Sequence, residues 1–580
     1  MKKIMNFKFT PLIIVLIATT LLFVNCSSDD DDDVTIDSEN TTSIDNDDDD
    51  DDDTTTFTFG ETHEETDDYV WDSSSVVKIT LNGSSITVDG DGATVSGTTV
   101  TITSSGNYEI TGTLNDGQII VDTDDKETVR LILNGINVTN TSSSPLYISN
   151  AKKTIVILAE NTINYLTDSI NYVFENDEDE PNATLFSDDD LTIYGEGTLT
   201  INAKYNDGLA SKDGLVIAGG TINITAADDG IRGKDYLAIE NSTITISSTG
   251  DGIKSDNDEA VNGGWIQIKS GTFNITATGD GITAVSNLEV TYGNFTIKTG
   301  GGSNSYLSST DSAKGLKSDA DILIEDGIFS INSSDDNIHS SSDITINTGT
   351  FSLATGDDAI HSDNSIEIND GDINITAAVE GIESPTITIN NGEININSSD
   401  DAINAAGNTS NYLYINGGYI VITAAGDGLD SNGNITMTDG TVIVNGPTAQ
   451  NNSPIDYDGT FKLNGGFLVA TGYASSMDAA GSTSSSQYSL LIKLTSAQSA
   501  GNLFHIEDSS GENILTFKPS KTYKSIVFSS SELKNGSTYK VYLGGSSTGT
   551  LTDGVYENGT YSSGTLYKSF TIASKTTTVN

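Results

Sequence analysis

The sequence predicts an all-β fold: a parallel β-helix of about 22 residues per coil, followed by a small C-terminal antiparallel β module. Three observations predict it. Few segments have helical periodicity, whereas apolar and polar residues alternate between turns rich in Gly, Asn and Asp. A unit of nearly constant length recurs through the middle of the chain, and the repeat stops near residue 489. The length of 580 residues suits one elongated repeat domain with an appendage.

The repeated unit opens with Asp-Gly-Ile or a close variant. Its openings are Asp207, Asp229, Asp251, Asp280, Lys314, Asp336, Asp358, Glu380, Asp401 and Asp427. Several neighbours begin 22 residues apart, whereas insertions lengthen the steps from 251 to 280 and from 280 to 314. Each unit holds three short apolar runs, which predicts three strands per coil, each stacked at ~4.8 Å on its equivalent in the next coil. The shorter periods of a left-handed hexapeptide helix and of a nonapeptide calcium β-roll are absent.

The repeat and its surroundings define the expected domains. We expect the β-helix over residues 70–480, with less regular coils from about residue 77 to residue 200. Beyond it, apolar runs such as 490–494 and 525–528 no longer follow the repeat. They predict the antiparallel module over residues 486–575.

The first 56 residues indicate export. Lys2 and Lys3 precede an apolar stretch and Cys26, which predicts a lipoprotein signal peptide over residues 1–25 and lipidation of Cys26. An uncleaved anchor helix is the alternative. Blocks of consecutive Asp predict a disordered acidic tether over residues 26–56. Its start resembles the surface-export signal of Bacteroidetes lipoproteins, so we expect a lipid anchor in the outer membrane at the cell surface.

The composition narrows the range of partners. The formal net charge of -57 excludes nucleic acid and anionic membranes as partners, attracts cations, and opposes self-association, so we expect a monomer. The single cysteine excludes a disulfide framework. With one Cys and four scattered His, zinc and copper sites are not expected.

Two columns of Asp indicate calcium. A single Asp-Gly pair predicts only a turn with its glycine at positive φ. Here, however, the first column places Asp207, Asp228, Asp229, Asp251, Asp280, Asp335, Asp336, Asp357, Asp358, Asp400, Asp401 and Asp427 at equivalent points of the coils. The second column, after the short strands, holds Asp213, Asp235, Asp256, Asp319 and Asp363. Each stacked pair costs roughly 3 kcal/mol before screening, at ~5 Å and an effective dielectric of ~20. Several hard oxygen ligands close together are what calcium takes.

A third ladder lies between the two acidic columns. The residue after each inward Ile or Leu points outward, and the ladder reads Ala210, Arg232, Lys254, Thr283, Lys317, His339, His361, Glu383, Asn404 and Asp430. Its cations either balance charge within the stack or form a groove in which Arg232, Lys254, Lys317 and His339 hold a sugar carboxylate with calcium. Tyr236 and Trp265 occupy matching outward positions, either to shield the sheet or to carry a sugar ring.

The sequence holds no compact catalytic set. A polysaccharide lyase needs a base, and Lys234, Lys254 or Arg232 would serve only with a lowered pKa. The surrounding Asp residues raise a lysine pKa instead, which argues against this role.

Several motifs resemble a bacterial family of β-helical carbohydrate-binding proteins, whose domain was formerly of unknown function. They are the segments 207–213, 228–235 and 250–256, the segment 186–197 and the tail segment 526–542. The resemblance runs from about Val70 to Ile572. It implies a right-handed parallel β-helix like that of family 9 pectate lyases, bound calcium, and binding without cleavage of plant cell-wall polysaccharides, including acidic pectin backbone. Lys314 and Glu380 replace Asp in the first column, which argues against a calcium site there.

Three functions follow from these patterns. The first is a cell-surface lipoprotein that binds an acidic polysaccharide through calcium and the cationic ladder. The second is a calcium-dependent pectate lyase that uses the same groove. The third is a structural adhesin in which calcium only staples the coils together.

Overall fold

The computed structural model describes residues 59–174, 179–308, 310–408, 410–473, 480–562 and 564–580. The predicted signal peptide, Cys26 and the acidic tether lie outside these residues. The described part of the chain consists of strands and turns with no helix, and the all-β prediction is confirmed for it. It accordingly contains no apolar helix of membrane-spanning length.

The strands form three parallel stacks, which we call walls 1, 2 and 3, because most units of the repeat contribute one short strand to each. Wall 1 is a sheet of fifteen strands: Ala93–Ser96, Thr99–Ile102, Gln118–Asp122, Leu146–Asn150, Ala183–Ser187, Asp207–Ser211, Ile231–Gly233, Ile253–Ser255, Ile282–Ala284, Leu316–Ser318, Ile338–Ser340, Ile360–Ser362, Ile382–Glu383, Ile403–Ala405 and Leu429–Ser431. Its first two strands are antiparallel and the others pair in parallel.

Walls 2 and 3 belong to one larger sheet. Wall 2 consists of Thr154–Leu158, Leu191–Gly195, Gly214–Ile217, Tyr236–Ile239, Trp265–Ile268, Leu288–Val290, Ile322–Ile324, Asp343–Ile346, Ser365–Ile368, Thr386–Ile389, Tyr412–Ile415, Asn434–Met437 and Phe461–Leu463. Wall 3 consists of Ile163–Thr167, Thr198–Asn202, Thr221–Ala226, Ser242–Ser248, Gly271–Ala277, Asn294–Thr299, Ile328–Ser333, Thr350–Thr355, Asp372–Ala378, Glu393–Ser398, Tyr419–Ala424, Thr441–Asn445 and Phe467–Gly472. At their N-terminal end lie Val76–Gly83, Ile86–Asp89, Gly106–Leu114 and Val129–Thr139, the last of which pairs with both walls.

The register between turns stacks equivalent side chains and builds the core. Ile338 pairs with Ile360, and both are completely buried. On wall 3, Phe273, Phe295, Phe329 and Phe351 stack in sequence with ring centroids 4.7 Å apart. The period-two alternation of the sequence therefore directs one face of each strand inward, and the hydrophobic core runs continuously along the three walls.

The turn glycines differ from expectation. The glycines of the Asp-Gly pairs that open the repeated units, Gly208, Gly230, Gly252, Gly281 and Gly428, do not adopt positive φ, so the turn chemistry predicted for these openings is wrong. Left-handed backbone occurs instead at the corner between walls 2 and 3, for example at Gly349 with φ 137° and Gly371 with φ 127°. The first column of Asp therefore sits on backbone that runs directly into wall 1.

The C-terminal residues continue the larger sheet and add a separate one. Ser489–Gln498, Tyr523–Ser529 and Thr576–Val579 extend the larger sheet, and Tyr523–Ser529 pairs antiparallel with the last strand of wall 3. An antiparallel sheet of six strands consists of Phe504–Asp508, Asn513–Phe517, Thr538–Leu543, Thr550–Thr552, Val555–Glu557 and Thr565–Thr571. Two short strands, Ser546–Ser547 and Tyr561–Ser562, pair with each other.

Candidate functional site

The first acidic column is held together by its own backbone. The carboxylate of an Asp that opens a unit uses Oδ1 to accept the backbone N–H of the residue that opens the next unit. Asp207 accepts from Asp229 at 3.1 Å, Asp229 from Asp251 at 2.7 Å, and Asp251 from Asp280 at 2.8 Å. The pattern continues from Asp336 to Asp358 at 3.1 Å. Because Oδ1 is committed to this bond, Oδ2 is the oxygen that remains for other partners.

Lysines of the neighbouring ladder form ion pairs with Oδ2 of several of these aspartates. Lys254 Nζ lies 2.9 Å from Asp251 Oδ2 and 3.4 Å from Asp229 Oδ2. Lys317 Nζ lies 3.5 Å from Asp280 Oδ2. These contacts supply the charge balance that the sequence allowed as one explanation of the ladder.

The ladder itself has the predicted register. Its neighbours are Cα partners along wall 1, from Ala210 with Arg232 to Asn404 with Asp430. The side chains of Arg232 and Lys254 are each 29% exposed, that of Lys317 is 26% exposed and that of His339 is 14% exposed. Wall 1 therefore presents three cationic side chains and one histidine that are packed against acids yet open to solvent on one side.

Ion pairing divides the predicted calcium ligands into two groups. The candidates that pair with Lys or Arg are Asp229, Asp251, Asp256, Asp280, Asp335 and Asp336. Within the described residues, the candidates without such a pair are Asp207, Asp213, Asp228, Asp235, Asp357 and Asp358. For the first group the cost of stacking carboxylates is offset by the protein's own cations, so these positions do not by themselves require a metal ion.

Lys314 is the clearest example of a cation that compensates stacked carboxylates. Instead of breaking the column where it replaces Asp, it places Nζ 2.8 Å from Asp335 Oδ1 and 2.7 Å from Asp336 Oδ2. His339 Nδ1 lies 2.9 Å from the same Asp336 oxygen. Although burial acts to raise it, the pKa of Asp336 is held far below its usual value by hydrogen bonds from His339, His361 and Lys314.

Where cations are missing, burial and neighbouring carboxylates raise the pKa values. At the N-terminal end, burial and then Asp229 raise the pKa of Asp207 to about 7. Burial and then Asp190 and Asp235 raise the pKa of Asp213, in the second column, to about 6. The N-terminal end of the acidic face is therefore short of positive charge. In the middle, Lys254, Lys314 and Lys317 compensate part of the column, but burial and then Asp336 raise the pKa of Asp358 to about 9.

The C-terminal end of the column contains a cluster of three carboxylates that lie closer together than the acids described at the N-terminal end. The carboxylate oxygens of Asp401, Asp427 and Asp430 lie within 4.8 Å of one another. Burial is the main cause that raises the pKa values of Asp427 and Asp430 to about 7 each, and Asp401 adds to both. No Lys or Arg pairs with these three acids in the part of the chain that the structure describes. The predicted calcium ligands did not include this cluster, although the repeated openings at Asp401 and Asp427 placed both residues in the first column.

A buried amide lies beside this cluster. Asn404 is the Cα partner of Asp430 and is 7% exposed. Its Nδ2 donates to Glu380 on the preceding turn at 2.7 Å, while its Oδ1 is buried and accepts no hydrogen bond from any described residue. A buried acceptor without a donor costs free energy. Three carboxylates and a free amide oxygen together are a hard-oxygen donor set of the type that calcium takes.

Two open pockets flank the middle of the ladder. One, of about 460 Å³, is lined by Tyr306, Asp335 and Asp357 among others, and Tyr306 is 93% exposed. The other, of about 410 Å³, is lined by His361, Glu383 and neighbouring residues. No periodic pattern in the sequence marks Tyr306, because this residue lies in an insertion between turns.

Of the two roles expected for Tyr236 and Trp265, the sugar platform is wrong and the shielding of the sheet fits the structure. Their rings stack at 4.6 Å, but they lie on wall 2 and are only 9% and 3% exposed. Phe59 packs against Trp265 at 5.1 Å, and Tyr236 Oη is within 2.6 Å of both the backbone N–H and Nδ1 of His63. The segment before the first strand covers the stack, so these rings shield the sheet.

Comparison with known proteins assigns the chain to a family. A family model of carbohydrate-binding domain-containing proteins matches residues 96–359 and 357–490. These matches cover more than half of the chain, which therefore belongs to this family, and the resemblance predicted from the sequence is confirmed.

Individual relatives cover less of the chain. A carbohydrate-binding domain-containing protein of Acetivibrio thermocellus is 46% identical over 128 residues, which are 22% of this chain and 45% of that protein. The chain thus spans less than half the length of this relative. A solved structure, described as the polysaccharide lyase-like protein from C. thermocellum in a gadolinium derivative, has 35% identity and a TM-score of 0.38. That match covers 44% of this chain and 96% of the other.

Proposed function

We propose that this protein binds an acidic polysaccharide on the outer face of wall 1, with calcium, and does not cleave it. The observation that carries the proposal is the succession of basic side chains on this face, Arg232, Lys254, Lys317 and His339, in a chain with a net charge of -57. Half-buried cations in fixed register suit the regularly spaced carboxylates of a uronic acid polymer. Membership of a carbohydrate-binding family supports the polysaccharide as the partner.

We place calcium at the cluster of Asp401, Asp427, Asp430 and Asn404. The donor set fits, because it offers three carboxylates and an amide oxygen, and because the pKa values of about 7 mark uncompensated acids. Calcium bound here would supply positive charge and open coordination positions to a sugar carboxylate at the acidic end of the ladder. Asp207, Asp213 and Asp235 at the opposite end are a second proposed location.

The electrostatics of the ladder argue against a lyase. Although burial alone would lower it, the pKa of Lys254 is raised by Asp229 and Asp251, and Asp336 and Asp335 raise that of Lys314 in the same way. Both amines therefore stay protonated at neutral pH and are poor general bases. Binding is thus the function that the face supports best.

Further features of the proposal rest on the sequence. We propose that the turns wind in a right-handed helix of about 22 residues each, because right-handed crossovers dominate parallel sheets. We also propose that Cys26 anchors a monomer in the outer membrane, with the face of wall 1 outside the cell. The negative charge makes nucleic acid an unsuitable partner.

The test is retention on polygalacturonate with calcium and with chelator. We expect retention with calcium, and loss of retention with chelator. The triple variant R232Q/K254Q/K317Q should bind at least roughly tenfold more weakly, because each lost charge-assisted hydrogen bond contributes about 1.5–3 kcal/mol. A matched control is K298Q/K462Q, which removes two exposed lysines from walls 3 and 2 and should bind like the wild type.

The alternatives give different results. Release of unsaturated product, detected by absorbance, would establish a lyase and overturn the non-catalytic assignment. No retention on polygalacturonate or other acidic glycans, together with a calcium-dependent melting temperature, would favour the structural adhesin. Equal binding by the triple variant and the wild type would show that the ladder is not the binding face.

A further inference from the structure

Two of the four histidines lie side by side in the middle of wall 1. His339 and His361 are Cα partners on adjacent turns, and their rings meet edge to face with centroids 5.0 Å apart. Both direct Nδ1 toward one oxygen, Asp336 Oδ2, at 2.9 and 3.6 Å. The expectation that the histidines are scattered is therefore wrong for this pair, because the 22-residue repeat brings the two residues together.

From this arrangement we propose a second metal site, specific for a zinc-class transition-metal ion, in which His339, His361 and Asp336 are ligands. Their donor atoms lie within 4.8 Å of one another. Ligands of a tetrahedral zinc ion, with bonds of about 2.0–2.2 Å, are roughly 3.3 Å apart. The observed separations of 2.9 and 3.6 Å lie on either side of that value, so an ion requires only small side-chain movements.

The surroundings supply what such a site needs. Asp358 Oδ2 lies 3.6 Å from His361 Nδ1 and offers a fourth donor. Asp363 Oδ1 lies 3.7 Å from His361 Nε2, where a carboxylate can orient the ring, as is usual for metal-bound histidine. Asp336 Oδ1 accepts the Asp358 N–H, which fixes Oδ2 in its outward direction. The two histidines thus lie on strands that hydrogen bonds already hold in register, and Asp336 and Asp358 lie just before those strands.

The chemistry of the donors separates this site from the proposed calcium site. Imidazole nitrogen suits zinc, nickel and copper, whereas calcium takes oxygen ligands. The cluster of Asp401, Asp427 and Asp430 contains no nitrogen donor. One face would therefore hold two classes of divalent ion two turns apart.

Lys314 is the competitor for the ion. Its Nζ lies 2.7 Å from Asp336 Oδ2, the oxygen that both histidines approach, and 2.8 Å from Asp335 Oδ1. Binding of a metal ion requires the ammonium to leave Asp336, and Asp335 remains as its partner. Because Lys314 opposes the metal ion, its removal should strengthen metal binding.

The test is titration of the full-length protein with Zn²⁺ by calorimetry and with Co²⁺ by visible absorption, both in excess calcium. We expect one bound equivalent and the ligand-field bands of a four- or five-coordinate cobalt site with nitrogen ligands. The variant H339Q/H361Q should lose the bands and bind Zn²⁺ at least roughly tenfold more weakly. The variant K314M should bind it more tightly than the wild type.

The variant D430N is the control, because it alters the calcium cluster and leaves the histidines in place. It should keep the cobalt bands and lose calcium response, whereas H339Q/H361Q should do the opposite. Absence of cobalt bands in both the wild type and K314M would overturn the proposal. Unchanged zinc affinity in folded H339Q/H361Q, checked by circular dichroism, would also overturn it. Neither result bears on polysaccharide binding, so failure of this site and of the proposed function are distinguishable.

Discussion

The two oxygens of one aspartate have different partners along the acidic column. In Asp229 and Asp251, Oδ1 accepts the next backbone N–H, and Oδ2 meets the ammonium of Lys254. The hydrogen bond fixes the rotamer, and the fixed rotamer places Oδ2 where the ladder can reach it. The aspartates of the column thus fix the register between neighbouring turns and also position the cations on the proposed binding face.

A buried ion pair fixes the segment that precedes the first strand. Lys153 Nζ lies 2.7 Å from Asp68 Oδ1, and their side chains are 2% and 1% exposed. Asp68 Oδ2 also accepts the backbone N–H of Glu65 at 2.8 Å. The pair therefore joins residues 63–68 to the body of the protein.

Replacement of Lys153 by Met should detach this segment. We expect a loss of roughly 3–5 kcal/mol in the free energy of holding it, because the substitution leaves Asp68 buried without its partner. Fluorescence of Trp265 should report the change, since Phe59 of the same segment packs on its ring. The matched control is K152M, whose exposed pair with Glu65 contributes about 0–1 kcal/mol. Equal spectra for both variants and the wild type would contradict the prediction.

At the scale of the strand, the repeat determines how much of the site could be predicted. The repeated Asp-Gly-Ile motif fixes which residues face one another in parallel strands even where insertions lengthen a turn, so the ladder from Arg232 to Asp430 could be read from the motif. The compensation by Lys314 could not, because the reach of a long side chain depends on its rotamer. The cover over Tyr236 could not either, since His63 lies 173 residues away and carries no periodic signal.

The antiparallel sheet near the C terminus contains a buried histidine that responds to pH. His505 is 2% exposed, its Nδ1 lies 2.8 Å from Thr516 Oγ1, and its ring stacks on Tyr561 at 3.7 Å. Burial lowers its pKa to about 4, against the smaller opposing effect of Glu507. The folded protein therefore holds this ring neutral where an unfolded chain, with a pKa of about 6.5, begins to take up a proton.

This difference predicts the sign of an acid effect on the C-terminal sheet. Between pH 6.5 and 4 the unfolded state binds more protons at this position than the folded state, so stability falls as the pH falls. Thermal melting at a series of pH values should show a steeper loss for the wild type than for H505Q. The comparison cancels the effect of acids elsewhere, and parallel pH profiles for the two proteins would contradict the prediction.

At the scale of the whole molecule, charge and fold oppose each other. A net charge of -57 favours expansion of the chain through repulsion between its acids. The stacked turns nevertheless bring acids as close together as adjacent strands of a sheet. The cations of the ladder relieve the middle of the first column, and its C-terminal end keeps three acids without a Lys or Arg partner in the described residues. A repeat fold is stabilised mainly by contacts between neighbouring turns, so an unrelieved end is a local weakness.

Calcium should therefore stabilise the protein more than its ionic strength explains. At a hundredfold excess over its Kd, an ion that binds only the folded state adds about 2.7 kcal/mol per site. Melting followed by circular dichroism should show a lower midpoint in excess chelator, and calcium should restore it. Sodium chloride at matched ionic strength should raise the midpoint less, because it only screens the repulsion. D430N should lose most of the calcium response, since it removes a ligand from the three-acid cluster. An equal response of D430N and the wild type would place the ion elsewhere, and no response of the wild type would show that the acidic end needs no metal.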